Sequence, residues 1–189
     1  LTRKDIILTA EQYDYTVCTA TTAVASLTYK TSPDYTDTAV LSASNLPAAL
    51  SVGFSPASVS TDGTVINATI AAGANILAGT YPIKINATSD SRSQSLPLSV
   101  TAYASNFTPI KLLTPSNNSL IEGLRTTLTW KADVNAEQYR VEVSTEESFS
   151  EVFYSSLFIT GFDDTSSDIT NLQPNTKYYW RVSPLNRCA

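Results

Sequence analysis

The stretch that decides the fold lies near the C-terminal end of the chain, where residues 172–182 read Leu-Gln-Pro-Asn-Thr-Lys-Tyr-Tyr-Trp-Arg-Val. Leu172 is an apolar anchor for a core, and Pro174-Asn175 is a pair typical of a turn. Tyr178 follows at a distance from which its hydroxyl can reach back to the backbone of that turn. An anchor, a turn and a tyrosine in this order predict the corner at which a chain crosses between the two sheets of a β-sandwich.

Alternating side chains continue the pattern on both sides of this corner. Trp180 and Val182 share one face of a strand with Tyr178, and the residues between them point the other way. Leu128-Thr129-Trp130 and the run from Tyr139 to Val143 show the same period of two. The residues predicted to form the structural core here are Trp130, Leu172, Tyr178 and Trp180.

These motifs resemble a fibronectin type III domain over about residues 108–189. The resemblance implies an immunoglobulin-like sandwich in which Trp130 is the core indole and Tyr178 the corner tyrosine. It also implies one more strand after Val182, so we expect the sandwich to lack its last strand and the chain to be a C-terminally truncated piece of a longer protein. An edge left free at residues 177–183 is expected to fray or to pair with another chain.

The first half of the chain contains further short apolar stretches separated by turn residues, which predicts a second all-β unit. Asp5–Thr9 and Tyr13–Cys18 are interpreted as two halves of one first strand. The other predicted strands are Ala23–Lys30, Asp37–Ser44, Ser51–Ser55, Thr64–Ile70, Gly79–Thr88 and Ser95–Tyr103.

Three pieces of this half carry a second resemblance. They are the run from Val40 to Pro47, Phe54-Ser55-Pro56, and Gly79-Thr80-Tyr81 with Ile83. Their order is similar to that of bacterial immunoglobulin-like modules over about residues 5–103. The predicted fold is therefore all-β, with two tandem immunoglobulin-like β-sandwiches at residues 1–104 and 105–189.

Composition excludes several classes of function. The chain has no His, which removes Ser-His and Cys-His nucleophile pairs, and its net charge of −5 disfavours binding to nucleic acid. No apolar run approaches the length of about 20 residues needed to cross a bilayer, so we expect no membrane insertion. No phosphate-binding or dinucleotide-binding glycine motif occurs, and no cofactor is expected.

Carboxylates are the remaining reactive groups. Asp163, Asp164 and Asp168 cluster in a segment expected to be a loop, and their oxygens could serve calcium. They lack the ordered spacing of a calcium loop, so they are weak metal candidates, and a solvated acidic loop is the alternative. No catalytic residue is assigned.

Aromatic residues offer the other possible surface. Phe153, Tyr154, Phe158 and Phe162 form a dense local group that could stack on a sugar. Core packing and cross-strand pairing are the alternative for these rings and for the tyrosines elsewhere in the chain, Tyr139 among them.

The two cysteines, Cys18 and Cys188, fall one in each predicted sandwich. In tandem sandwiches the turn after a first strand faces the next domain, and the loop after a sixth strand faces back. We therefore expect a Cys18–Cys188 disulfide. Two unrelated thiols, or pairing of Cys188 with a residue beyond Ala189, remain alternatives.

These observations predict a non-catalytic accessory region of a secreted or cell-surface bacterial protein. By resemblance the parent is a multidomain hydrolase, with a metallopeptidase as the first candidate, and the pair acts as a spacer and docking surface. Its partners would be other domains of the same polypeptide, or an extracellular protein or glycan. The alternative is an adhesin stalk or a carbohydrate-binding module.

Overall fold

The chain forms short strands wherever apolar and polar residues alternate. A computed structural model describes residues 5–158 and 163–189, and the side chains of all of these except Leu157 and Phe158. The strands are β1 Ile6–Ala10, β2 Asp14–Cys18, β3 Thr22–Thr31, β4 Ala39–Ser44, β5 Leu50–Ser55, β6 Ser58–Val59, β7 Thr64–Ala72, β8 Gly79–Thr88, β9 Ser93–Tyr103, β10 Leu112–Thr114, β11 Thr126–Trp130, β12 Gln138–Ser144, β13 Tyr154–Phe158, β14 Ser166–Ile169 and β15 Tyr179–Leu185. Within these residues, no helix is long and apolar enough to cross a bilayer.

The strands belong to two structural units. Unit 1 contains Leu1–Ser105 together with Cys188, and unit 2 contains Asn106–Arg187 together with Ala189. Cys188 therefore groups with unit 1, although the strand before it in sequence belongs to unit 2. The main chain passes between the units after Ser105, after Arg187 and again after Cys188.

Unit 1 has one sheet with the order β1-β3-β7-β5 and another with the order β2-β9-β8-β4-β6. Neighbouring strands are antiparallel except β2 and β9, which are parallel and pair Asp14 with Ser99 and Cys18 with Tyr103. The predicted halves of one first strand are thus two strands in different sheets. β1 pairs antiparallel with β3, and β2 pairs parallel with β9. The alternation of apolar and polar residues does not predict these partners.

The core of unit 1 is built from the inward-facing positions of these strands. Leu27 and Tyr29 of β3 and Ile66 and Ile70 of β7 are completely buried. The equivalent side chains of the second sheet are Ile83, Ile85, Leu96, Leu98 and Val100. Because side chains alternate along a strand, the residues between them form the outer faces.

Unit 2 contains two three-stranded sheets, β10-β11-β14 and β13-β12-β15. Trp130 at the end of β11 is 1% exposed, and its ring meets that of Tyr139 edge-on at 5.5 Å between centroids. Tyr139 is fully buried, so it belongs to the core and offers no surface for a sugar. Its hydroxyl accepts a hydrogen bond of 2.7 Å from the backbone N–H of Asp133.

The corner before β15 has the geometry expected from the sequence. Leu172 is buried in the core, and the backbone N–H of Gln173 donates to the hydroxyl of Tyr178 at 2.9 Å. Asn175 has φ of 54°, the left-handed conformation that Asn tolerates better than most residues. The hydrogen bond therefore closes the turn that Pro174-Asn175 opens.

The inward face of β15 is covered less completely than that of its neighbour β12. Val141 and Val143 of β12 are buried, whereas the residues paired with them, Val182 and Trp180, are half-buried. Within the described part of the chain, β15 pairs with β12 and with no strand on its other edge.

We predict that Trp130→Ala destabilises unit 2 by about 3–5 kcal/mol, because it removes a buried indole and leaves a cavity beside Tyr139. Leu120→Ala is the matched control, since Leu120 is 98% exposed and should leave stability unchanged. Denaturant midpoints followed by tryptophan fluorescence of Trp180 measure both variants. Equal midpoints for Trp130→Ala and the parent chain would show that the indole does not support the core.

Tyr178→Phe removes only the corner hydroxyl. The ring stays half-buried and the hydrogen bond to Gln173 is open to solvent, so we expect a loss of about 0.5–1.5 kcal/mol. Chemical unfolding of the purified variant gives the value. A loss as large as that of Trp130→Ala would mean that Tyr178 supports the fold by more than this hydrogen bond.

Candidate functional site

The most distinctive chemical feature of the chain is the disulfide between Cys18 and Cys188. The sulfur atoms are 1.99 Å apart, the Cα atoms are 5.5 Å apart, and the cysteines are separated by 170 positions in sequence. The Cα distance lies within the usual range for disulfides. The pairing expected from the sequence is thus present in the structure, and neither cysteine is free.

Backbone hydrogen bonds hold the segment around Cys18. Cys18 ends β2, and the next residue, Thr19, donates its N–H to the carbonyl of Tyr103 in β9 at 3.0 Å. The hydroxyl of Thr21 accepts from the N–H of Cys18 and donates to its carbonyl, each at 2.9 Å. Ala20, with φ of 59°, completes a tight turn, so the position of Cys18 is fixed by its own neighbours.

Polar contacts hold the segment before Cys188. Asn186 is buried, and its amide group donates to the carbonyl of Asn135 at 2.8 Å. The amide group of Asn135 donates to the carbonyl of Asn106 at 3.1 Å. The next residue, Arg187, donates its backbone N–H to the carboxylate of Glu137 at 2.7 Å and pairs with the same carboxylate through its guanidinium.

Asn135 and Asn186 are buried, and their amide groups have partners, which matters because a buried amide left without partners would be costly. Together with the exposed Arg187–Glu137 pair, these contacts hold the residues that lead to Cys188. Sequence reasoning missed Asn135, Glu137 and Asn186, because loop Asn and Glu residues are common and their pairing spans about 50 positions.

The acidic candidates lie apart in the secondary structure. Asp168 is inside β14, on its outer face, and its carboxylate accepts a hydrogen bond of 2.6 Å from the hydroxyl of Thr127. Asp163 and Asp164 precede the strand. The expectation that all three share a loop is wrong, because β14 pairs with β11 and sets Thr127 opposite Asp168. Among the described residues there is no group of three or more acidic or cysteine side chains that could hold a metal ion.

Phe153 and Tyr154, the described members of the aromatic group considered as a possible sugar surface, have different environments. Phe153 is 45% exposed, and its ring is tilted by 54° against that of Tyr178 at 5.5 Å. Tyr154 packs against the core with its hydroxyl 3.3 Å from that of Ser167. The side chain of Phe158 and all of Phe162 lie outside the described residues.

Charged and aromatic groups meet at one end of the outer face of β12 and β15. The guanidinium of Arg181 lies 4.3 Å from the ring centre of Phe149 and pairs with Glu142 at 2.7 Å. The ammonium of Lys177 lies 4.7 Å from the ring centre of Tyr179, and hydrogen bonding to Tyr179 raises the pKa of Lys177. Each ring thus has a cation over one face.

Three tyrosines have raised pKa values for a structural reason. Burial removes the hydroxyls of Tyr15, Tyr29 and Tyr139 from water, and this desolvation is the main cause of each increase. Nearby carboxylates or tyrosines add smaller contributions, and at Tyr139 the backbone hydrogen bond from Asp133 opposes the shift. These groups therefore stay neutral at physiological pH.

We predict that the double variant Cys18→Ser/Cys188→Ser is less stable than the oxidised protein by about 2–4 kcal/mol, because the unfolded chain regains the entropy of the open loop. Equilibrium unfolding in denaturant, with and without a reducing agent, measures the difference. The reduced parent chain should match the variant, and the variant itself should not respond to the reducing agent. An oxidised parent no more stable than the variant would contradict this role of the disulfide.

Comparisons with known proteins find likeness in fold only. No family model matches the chain, and no curated protein matches it. Solved structures of similar fold include domains 4 and 5 of the S-layer protein SbsC, with 14% identity, a TM-score of 0.38 and coverage of 53% of each chain. Fibronectin domains FN1–FN3 of chicken CNTN1 show 10% identity and a TM-score of 0.39, with 95% of this chain and 60% of that chain covered.

The titin Ig tandem A164–A165 is 11% identical with a TM-score of 0.35, covering 97% of this chain and 92% of that one. The chain thus spans 53% and 60% of the length of the first two structures. Since these TM-scores are low, the assignment of the fold rests on the strands and registers. The chain forms two all-β units, each built from two sheets, and resembles tandem immunoglobulin-like domains.

Proposed function

We propose that this chain is a pair of non-catalytic accessory modules, which serve as a stiff spacer and docking unit in a secreted bacterial multidomain protein. A metallopeptidase is the first candidate for the parent, on the resemblance of the two modules. The observation that carries the proposal is the Cys18–Cys188 disulfide, which gives the two units a covalent connection besides the main chain at residues 105–106. A second connection would restrain the relative movement of the units. A spacer needs this restraint, and a flexible tether does not have it.

The disulfide also supports a location outside the cytoplasm. Disulfides persist in oxidising compartments and are rare where thiols are kept reduced. The net charge of −5 is consistent with a secreted module, because repulsion between molecules of like charge keeps a protein in solution. A secreted or cell-surface position is therefore part of the proposal.

The titratable groups favour a structural role over catalysis. A catalytic group typically has a pKa shifted by a specific charge partner within a cleft. The raised pKa values of Tyr15, Tyr29 and Tyr139 arise mainly from burial in the two cores. Desolvation in a core is the cause expected for a tyrosine that serves packing, and this supports a non-catalytic role.

The alternative, an adhesin stalk or a carbohydrate-binding module, needs an aromatic surface that a sugar ring can cover. Arg181 lies over one face of Phe149, and Lys177 lies over one face of Tyr179. Those ring faces are already in contact with cations. This arrangement favours contact with a protein, through the charges of Lys177, Arg181 and Glu142, over stacking on a sugar.

Stiffness is the property that tests the proposal. We predict that two spectroscopic labels, introduced as non-canonical amino acids at exposed Lys84 and Lys131, give one narrow distance distribution in the oxidised protein. The distribution should broaden in the Cys18→Ser/Cys188→Ser variant, because only the main chain then joins the units. Pulsed electron paramagnetic resonance measures both. An equally broad distribution in oxidised protein and variant would refute the spacer.

A pull-down on insoluble polysaccharides distinguishes the spacer hypothesis from the carbohydrate-binding alternative. The spacer hypothesis expects no saturable retention of the chain on cellulose, chitin or peptidoglycan. Saturable retention that Tyr179→Ala or Phe149→Ala abolishes, while the exposed control Leu120→Ala keeps it, would establish a carbohydrate-binding module instead.

A further inference from the structure

The position of the disulfide determines which part of the chain can carry tension. A force applied between a point before Cys18 and a point after Cys188 has two covalent routes. One runs through residues 19–187, and the other runs directly across the sulfur–sulfur bond. The second route is far shorter, so it becomes taut first.

We propose that the two units form a load bypass, in which tension along the parent chain passes through the disulfide, so that unit 2 and strands β3 to β9 of unit 1 carry no load. This inference rests on the proposed spacer function, because a spacer between other domains is pulled at both sides. It adds a mechanical role that stiffness alone does not imply.

The physical reason for a bypass is the marginal stability of a sandwich. Folded domains are stabilised by a small net free energy, and a modest force acting over a long extension can supply that work. Unfolding residues 19–187 would lengthen the chain by about 600 Å, at about 3.5 Å per residue. With the disulfide closed, this length cannot be released.

Only two strands remain in the loaded route. β1 and β2 lie before or at Cys18, and they are held to β3 and to β9 by five register pairs each. Their inward side chains Ile6, Leu8, Tyr15 and Val17 are buried in the core of unit 1. Tension can therefore strip β1 and β2 at most, while unit 2 remains outside the loaded route.

The experiment is single-molecule extension with handles fused directly before Leu1 and after Ala189. Oxidised protein should lengthen only by the residues in the loaded route, 1–18 and 188–189, which is about 70 Å at about 3.5 Å per residue. Reducing agent should release a further length of about 600 Å in two or more steps. Cys18→Ser/Cys188→Ser should behave as the reduced protein, with or without reducing agent.

A cut inside the loop gives an independent readout. A site-specific protease sequence is placed at Leu120, which is 98% exposed, and the molecule is cut while it is held under tension. Oxidised molecules should stay tethered, because residues 1–119 and 120–189 remain joined through Cys18 and Cys188. Cut molecules of the double serine variant should lose the tether.

Two results would overturn the bypass. One is an oxidised molecule that lengthens by several hundred ångströms without reducing agent, and the other is loss of the tether when an oxidised molecule is cut. Either result would leave the spacer proposal standing. That proposal is tested by the width of the distance distribution between Lys84 and Lys131 at zero force.

Discussion

A single covalent bond, between Cys18 and Cys188, constrains nearly the whole chain. It closes a loop of 170 positions that contains thirteen of the fifteen strands in the described residues. Both ends of the loop are prepared by local hydrogen bonds. The Thr21 turn holds Cys18 beside β9, and Asn186 and Arg187 are fixed by Asn135 and Glu137 before the chain reaches Cys188. The bond therefore links two ordered segments.

Cys188 groups with unit 1, although the residues on both sides of it in sequence belong to unit 2. The main chain passes from unit 1 to unit 2 after Ser105, and Cys188, near the end of the chain, is again grouped with unit 1 and bonded to Cys18. Two tandem units normally share a single peptide connection and move independently unless their interface is large. The disulfide adds a covalent cross-link to the peptide connection, and the proposed spacer role depends on this cross-link.

Much of the fold could be predicted because its signals are local. Alternation gave most strands of unit 1 to within a few residues, and the Leu172 to Tyr178 segment indicated the corner that the Gln173–Tyr178 hydrogen bond now shows. Trp130 and Leu172 are buried as expected, while Tyr178 and Trp180 are only half-buried. The burial of those two rings depends on which residues lie beside β15. The alternation of side chains within one strand gives no information on its neighbours.

The failures concern long-range pairing. The sequence offered no sign that β1 and β2 join different sheets, since the choice depends on their partners β3 and β9. It placed Asp168 in a loop, where the pairing of β14 with β11 makes it a strand residue bonded to Thr127. The buried Asn135–Asn186 contact was also missed. Each is decided by residues far apart in sequence, whereas the cysteine pair could be predicted because the resemblance to tandem sandwiches put Cys18 and Cys188 at facing ends of the two units.

The most direct measurement of this account is peptide mapping of the monomer under non-reducing conditions, after blocking of free thiols in denaturant. The account predicts no blocked cysteine and one cross-linked peptide pair, containing Cys18 and Cys188, that separates on reduction. Two blocked thiols per chain, or a cross-link found only in dimers, would contradict it.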